Sequence, residues 1–145
     1  MDGRHSYCRI VLEKSITLTE IQKKQLSEFA DNSIPNESCA LLFGNCENNK
    51  GVVDEIFFTK NIEESPTNFT ISNEELLEGY KIAEQKKLDV VGIFHSHPYS
   101  DAIPSSTDKK FMQSNPVIWI IYSGETKKFK AYFLESDIIE IPIIS

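Results

Sequence analysis

No stretch of apolar residues in this chain approaches the ~18–20 needed to cross a bilayer. The opening residues Met1, Asp2, Gly3, Arg4 and His5 also lack the hydrophobic segment of a secretory signal. These two gaps set the expectation of a soluble, cytoplasmic protein with no membrane partner. Positive charge is short as well: 15 Lys and Arg stand against 22 Asp and Glu, a net charge of −7. Nucleic-acid binding normally requires a basic patch that displaces counterions, so no nucleic-acid partner is expected and a neutral or basic peptide is favoured. The one dense basic cluster, Lys127, Lys128 and Lys130, reads as a solvated hairpin edge that discourages sheet pairing. Cysteine is scarce. Cys8, Cys39 and Cys46 are an odd number without C-x-x-C spacing, which argues against a disulfide framework and against a structural zinc knuckle. No repeat, low-complexity tract or linker divides the 145 residues, and 40% hydrophobic with 26% charged content suits one globular domain over 1–145.

Histidine is rare too, yet two of the three fall in His95-Ser96-His97-Pro98, followed closely by Pro104-Ser105-Ser106-Thr107-Asp108. Side chains at i and i+2 of a strand share a face, so both imidazoles can grip one divalent ion. Asp108 returns after the loop as a third, anionic ligand. Three protein ligands leave a fourth tetrahedral position open, which separates a catalytic zinc from a structural one. The apolar run Val90, Val91, Gly92, Ile93 and Phe94 predicts a strand buried on both faces and ending where the histidines begin. Pro98 and Pro104 stiffen the loop, and Ser105-x-x-Asp108 predicts the start of a helix through Lys109, Phe111 and Met112. Asp108 then lies in the first turn, where the helix dipole favours a carboxylate.

An H-x-H pair alone is ordinary in strands, and Ser105 with Asp108 is by itself a capping box. Their conjunction is what points to a metal. A metal-activated water also needs a proton acceptor, and Glu37 ranks first for that role. It lies in Pro35-Asn36-Glu37-Ser38-Cys39-Ala40-Leu41-Leu42-Phe43-Gly44, where a proline-led turn feeds an apolar strand and a glutamate can project beside a neighbouring strand.

Pro35-x-Glu37-x-Cys39-x-x-Leu42-x-Gly44, His95-Ser96-His97-Pro98 and Pro104-Ser105-x-x-Asp108 together resemble the JAMM motif of the MPN+ (JAB-domain) metalloisopeptidases. That group includes zinc deubiquitinases and compact prokaryotic peptidases. The likeness covers residues 8–143, with Ala40 and the loop 99–103 as mild departures. It implies a single compact MPN domain (JAB, cytidine-deaminase-like) and one Zn2+ per chain on His95, His97 and Asp108. It further implies Glu37 as general base and then acid, with Ser105 helping to stabilise the oxyanion. The implied reaction is hydrolysis of the amide after the C-terminal glycine of a ubiquitin-like modifier, whose conjugates are the expected partners. The same site also suits trimming of amino acids from a thiocarboxylate sulfur-carrier protein. A non-catalytic MPN scaffold is the third option, disfavoured because every ligand position is kept. From outside the family, a thiol hydrolase pairing Cys39 with His95 is disfavoured by the apolar strand around Cys39.

The wider pattern is α/β, a central mixed sheet flanked by helices. Strands are expected at 8–12, 39–44, 52–59, 69–71, 90–94, 117–122, 129–134 and 138–143, with a hairpin turn at 45–50. Capping boxes at Thr17-x-x-Glu20 and Ser72-x-x-Glu75 predict two further helices. The first carries Leu18, Ile21, Leu26 and Phe29 on or near one face, and the second Leu76, Leu77, Tyr80 and Ala83.

Overall fold

The computed structural model describes residues 14–145, so the strand expected at 8–12 lies outside the described residues. In chain order the elements are β1 (Ser15–Thr17), α1 (Glu20–Ser33), β2 (Cys39–Glu47), β3 (Lys50–Phe58), α2 (Asn73–Gln85), β4 (Asp89–His97), α3 (Ser106–Ser114), β5 (Ile118–Ser123), β6 (Phe129–Leu134), β7 (Ile138–Ile141) and β8 (Ile143–Ile144). The α/β architecture is as expected: one mixed sheet, ordered β7-β6-β5-β4-β2-β3-β1-β8, with helices against it. β4 runs antiparallel to β2, paired from Asp89 to His95, and parallel to β5, paired from Gly92 to His97, so the histidine end lies between two strands.

Alternation along the strands divides the interior in two. Ala40, Leu42, Phe94, Ile118 and Ile120 face one layer together with Leu26 and Ala30 of α1. Cys39, Leu41, Ile93, Trp119 and Ile121 face the other with Ala83 of α2 and Met112 of α3. His95 and His97 continue the Ile93 side, so the strand's period of two aims them into the layer shared with α2 and α3.

The sheet is drawn around on itself. The last strand at one end of the order, β7, stops at Ile141, and the last strand at the other end, β8, starts at Ile143. Two residues apart in the chain span at most about 7 Å, so the two ends meet at Pro142. The Pro142 carbonyl accepts from Ile16 N (3.1 Å) and that of Ile144 from Leu18 N (2.8 Å), zipping the tail onto β1. This corrects the single strand expected at 138–143: proline cannot donate to a ladder, and the break lets the chain change partners there.

Other boundaries also move. α1 is capped by Thr19, whose hydroxyl accepts from Gln22 N while Gln22 reaches back to Thr19 N, and not by Thr17 with Glu20. Thr17 is occupied by parallel pairing with Val52 and Ile144. Leu18 is fully buried ahead of the helix, while Ile21 is 72% exposed. The cap at Ser72 forms as expected, but the Glu75 carboxylate accepts from Lys60 N (3.0 Å) and Leu77 is exposed. The hairpin needs only two loop residues. Asn48 and Asn49 have φ of 51° and 66°, the twist of a type I′ turn, so β2 and β3 run through residues assigned to the turn. Residues 69–71 form no strand. Cys46 is disulfide-bonded, against the expectation from cysteine counting, while Cys39 is free and buried.

Gly44 lies where the β2–β3 register slips, and a Cβ there would fall 1.8 Å from the Val52 carbonyl oxygen. Backbone cannot yield as a flexible side chain does, so Gly44→Ala should lose about 3 kcal/mol, read as a lower urea midpoint at unchanged m.

Candidate metal centre

β4 ends with His95 and His97 on one face, and α3 begins with Asp108 buried in its first turn. Their ligand atoms form a nearly equilateral triangle. His95 Nε2 and His97 Nε2 are 3.2 Å apart, and each lies 3.1 Å from Asp108 Oδ2. A tetrahedral zinc with bonds of about 2.0–2.1 Å has ligand–ligand edges of roughly 3.3 Å. The three atoms are therefore spaced to hold one metal ion, and the two-imidazole, one-carboxylate set suits zinc.

The capping box orients the aspartate. Ser105 Oγ accepts from Asp108 N (3.1 Å), and Asp108 Oδ2 accepts from Ser105 N (2.9 Å). The feature that read as a plain helix start thus also aims a candidate ligand. His97 Nδ1 lies 2.7 Å from the Asp101 carbonyl, which can only accept, so Nδ1 carries the proton and Nε2 keeps its lone pair for a metal. His95 is steered by packing instead. Its ring stacks on Phe69 at 4.7 Å and meets Trp119 edge-on at 5.8 Å, and its Nδ1 is buried without a partner.

Burial holds His95 below its ordinary pKa, in the neutral form a ligand must have. The same burial acts on His97, but hydrogen bonds to Asp108 and to the Asp101 carbonyl outweigh it and raise the value. Asp108 stays well below the usual carboxylate range because its bonds to both histidines overcome its desolvation.

Glu37 precedes β2. Cys39 pairs with His95, and Ser38 and Ser96 carry the ladder onward through Ser96 N to Ser38 O (3.0 Å) and Ser38 N to Ser96 Oγ (2.9 Å). Two residues before Cys39, Glu37 lies near enough to His97 and Asp108 for both to act electrostatically on its carboxyl. Its backbone is tied at both ends, N–H to Ser65 O (2.8 Å) and C=O from Asn61 Nδ2 (3.1 Å). Its carboxyl is buried, with Oε1 unpaired, and desolvation pushes its pKa up to about 8 against the opposing pull of His97.

Besides the Asp101 carbonyl, two residues here escaped sequence reasoning. Asn61 is buried with all four side-chain bonds made, to Glu37 O, Asn68 O, Glu63 N and Thr70 N, and so fixes both the Glu37 backbone and the segment bearing Phe69. Phe69 read as part of a strand, yet it is the platform under His95. Cys39 is fully buried, burial pushes its thiol up to about 12, and the Thr59 hydroxyl lies 3.2 Å from the sulfur, which disfavours a thiolate nucleophile. The thiol hydrolase is set aside.

The family described as prokaryotic homologs of the JAB domain matches residues 20–135. The chain belongs to that JAB/MPN family. A curated relative, the desampylase of Pyrococcus furiosus, is 41% identical over 110 residues, 74% of this chain and 75% of its own. A Desulfitobacterium hafniense protein of known solution structure superposes with a TM-score of 0.80 at 30% identity, covering 89% of this chain and 91% of that one. A JAB1/MPN domain protein from Archaeoglobus fulgidus shares the JAB fold, with a TM-score of 0.58 at 22% identity over 90% and 99% of the two chains. Among the described residues, no helix is long and apolar enough to cross a membrane.

Proposed function

We propose that this protein is a zinc-dependent isopeptidase that cuts the amide bond after the C-terminal glycine of a ubiquitin-like modifier and so releases the modifier from its conjugates. The triangle of His95, His97 and Asp108 facing a buried, unpaired Glu37 carboxyl carries the proposal, and the likeness to a desampylase supports the substrate class. His95, His97 and Asp108 would hold the zinc, which would supply Lewis acidity to a water near neutral pH and to the attacked carbonyl. Glu37 accepts the proton of the attacking water at its carboxylate and returns it to the departing amine. A carboxyl whose burial favours the protonated form is suited to hold that proton between the two transfers.

Ser105 has its oxygen engaged by Asp108 N, which leaves its O–H to donate toward the developing oxyanion. Ser105→Ala should lose about a hundredfold in kcat and, through the missing cap, about 1 kcal/mol of stability. Single-turnover cleavage and urea melts measure the two effects separately.

Incubating the zinc-loaded protein with branched isopeptide conjugates and with linear carrier-cysteine adducts tests the assignment. Free modifier ending in glycine, released from the branched conjugate, is the expected product. Inertness toward it with cleavage of the linear adduct would transfer the site to sulfur-carrier trimming. Binding without hydrolysis of either would make the protein a scaffold.

A further inference from the structure

Three consecutive carbonyls after β4 each accept a hydrogen bond from a different side chain. Ser100 O accepts from the Ser123 hydroxyl at the end of β5 (2.7 Å), Asp101 O from His97 Nδ1 (2.7 Å), and Ala102 O from the Tyr132 hydroxyl of β6 (2.6 Å). Ser123 and Tyr132 therefore grip the residues on either side of the carbonyl that touches the imidazole. Both are buried, where a hydrogen bond is electrostatically stronger than at the surface. Ser123 is itself directed. Its oxygen accepts from Glu125 N (3.1 Å) and Thr126 N (3.0 Å), which leaves its proton for Ser100. β5 pairs with β4 so that Ser123 stands opposite His97, and Gly124 N donates to His97 O (2.9 Å). The loop's larger side chains take no part in the grip, since Tyr99 and Ile103 are 60% and 55% exposed.

We infer that Tyr132 and Ser123 are positioning residues for the metal centre. By pinning Ala102 and Ser100 they hold the Asp101 carbonyl against His97 Nδ1, which fixes the imidazole tautomer and the direction of its Nε2 lone pair. This deepens the isopeptidase proposal and rests on His97 being a metal ligand. It also gives the loop 99–103 a fixed backbone, part of the framework around the metal and not a lid over it.

The test is zinc affinity, measured by competition with a chromogenic chelator for wild type, Tyr132→Phe and Ser123→Ala. Outer partners of metal-bound histidines are worth about 10–100-fold in affinity. Each variant should weaken zinc binding by about tenfold, beyond the lowered urea midpoint of its chelated form that follows from leaving a buried carbonyl unpaired. In the chelated variants the His97 Hδ1 proton should exchange faster with solvent, and in the zinc-loaded ones kcat should fall with KM unchanged. Tyr122→Phe, whose hydroxyl bonds Asp31 (3.3 Å) and not the loop, is the control and should keep wild-type affinity. Wild-type zinc affinity and Hδ1 exchange in both variants would overturn the inference. So would a lowered urea midpoint with unchanged affinity, the signature of a merely structural role. A wild-type protein that binds no zinc would instead overturn the metal centre itself.

Discussion

Glu37→Gln should keep one zinc per chain and lose turnover by about 10²–10⁴-fold, the usual contribution of a positioned acid–base group. The substitution preserves shape and leaves His95, His97 and Asp108 untouched, but an amide cannot accept and return a proton. Metal content by elemental analysis and kcat on one preparation check both halves. Loss of zinc in this variant would mean that Glu37 ligates the metal and is not the proton carrier. A second effect separates burial from catalysis. The Glu37 pKa is raised from 4.5 to about 8 in the folded protein, so the native state holds a proton that the unfolded chain releases between those values. Stability of the chelated protein should therefore fall as pH rises from about 4.5 to about 8. Glutamine removes that penalty. The chelated variant should be more stable than wild type at pH 7 by about 2–3 kcal/mol, read from urea melts at several pH values. A residue that weakens the fold while serving the reaction is an expected trade at a catalytic centre.

His97→Ala and Asp108→Ala should each abolish zinc retention and activity together. Each removes one corner of a triangle whose edges are 3.1–3.2 Å, and two remaining ligands cannot close a tetrahedral site. The drop in affinity should exceed the roughly 10–100-fold that loss of an outer partner costs, and dialysis against a chelator followed by metal analysis measures it. The two variants should differ when chelated. Asp108 has a lowered pKa, so its carboxylate stabilises the fold above the unfolded value of 3.8 and that contribution is lost as pH falls. Asp108→Ala should flatten the acid limb of the stability profile. It also strips the acceptor from Ser105 N, adding the loss of half a capping box.

The three candidate metal ligands could be picked out because their geometry is local. A period of two places both histidines on one face, and a capping box places the aspartate, each within a few residues of chain. Glu37 was harder, since His97 and Asp108, the groups that act electrostatically on its carboxyl, are distant in sequence, and Ser38 meeting Ser96 ties the neighbouring chain to their strand. Position in a turn before a strand ranked it, and only the family motif selected it from 22 acidic residues. Asn61, Asp101 and Phe69 stayed hidden for a common reason. Asn61 works by bonding distant backbone, Asp101 through its carbonyl, and Phe69 by stacking, and none of these leaves a spacing in the sequence. The capping pair of α1 was misplaced by two residues because Thr17 and Thr19 begin equally good boxes, and strand pairing of Thr17 decides between them. The disulfide at Cys46 shows the limit of counting: an odd total leaves room for a bridge and a free thiol in one chain.

The join at Pro142 makes the stretch from Ile138 to Ile144 a single clasp on both rims of the wall. Lifting it would uncover β6 on one side and β1 on the other in the same event, presenting two raw hydrogen-bonding borders to any neighbouring chain. A fusion partner or a proteolytic nick there would accordingly threaten self-association well before it disturbed His95, His97 and Asp108.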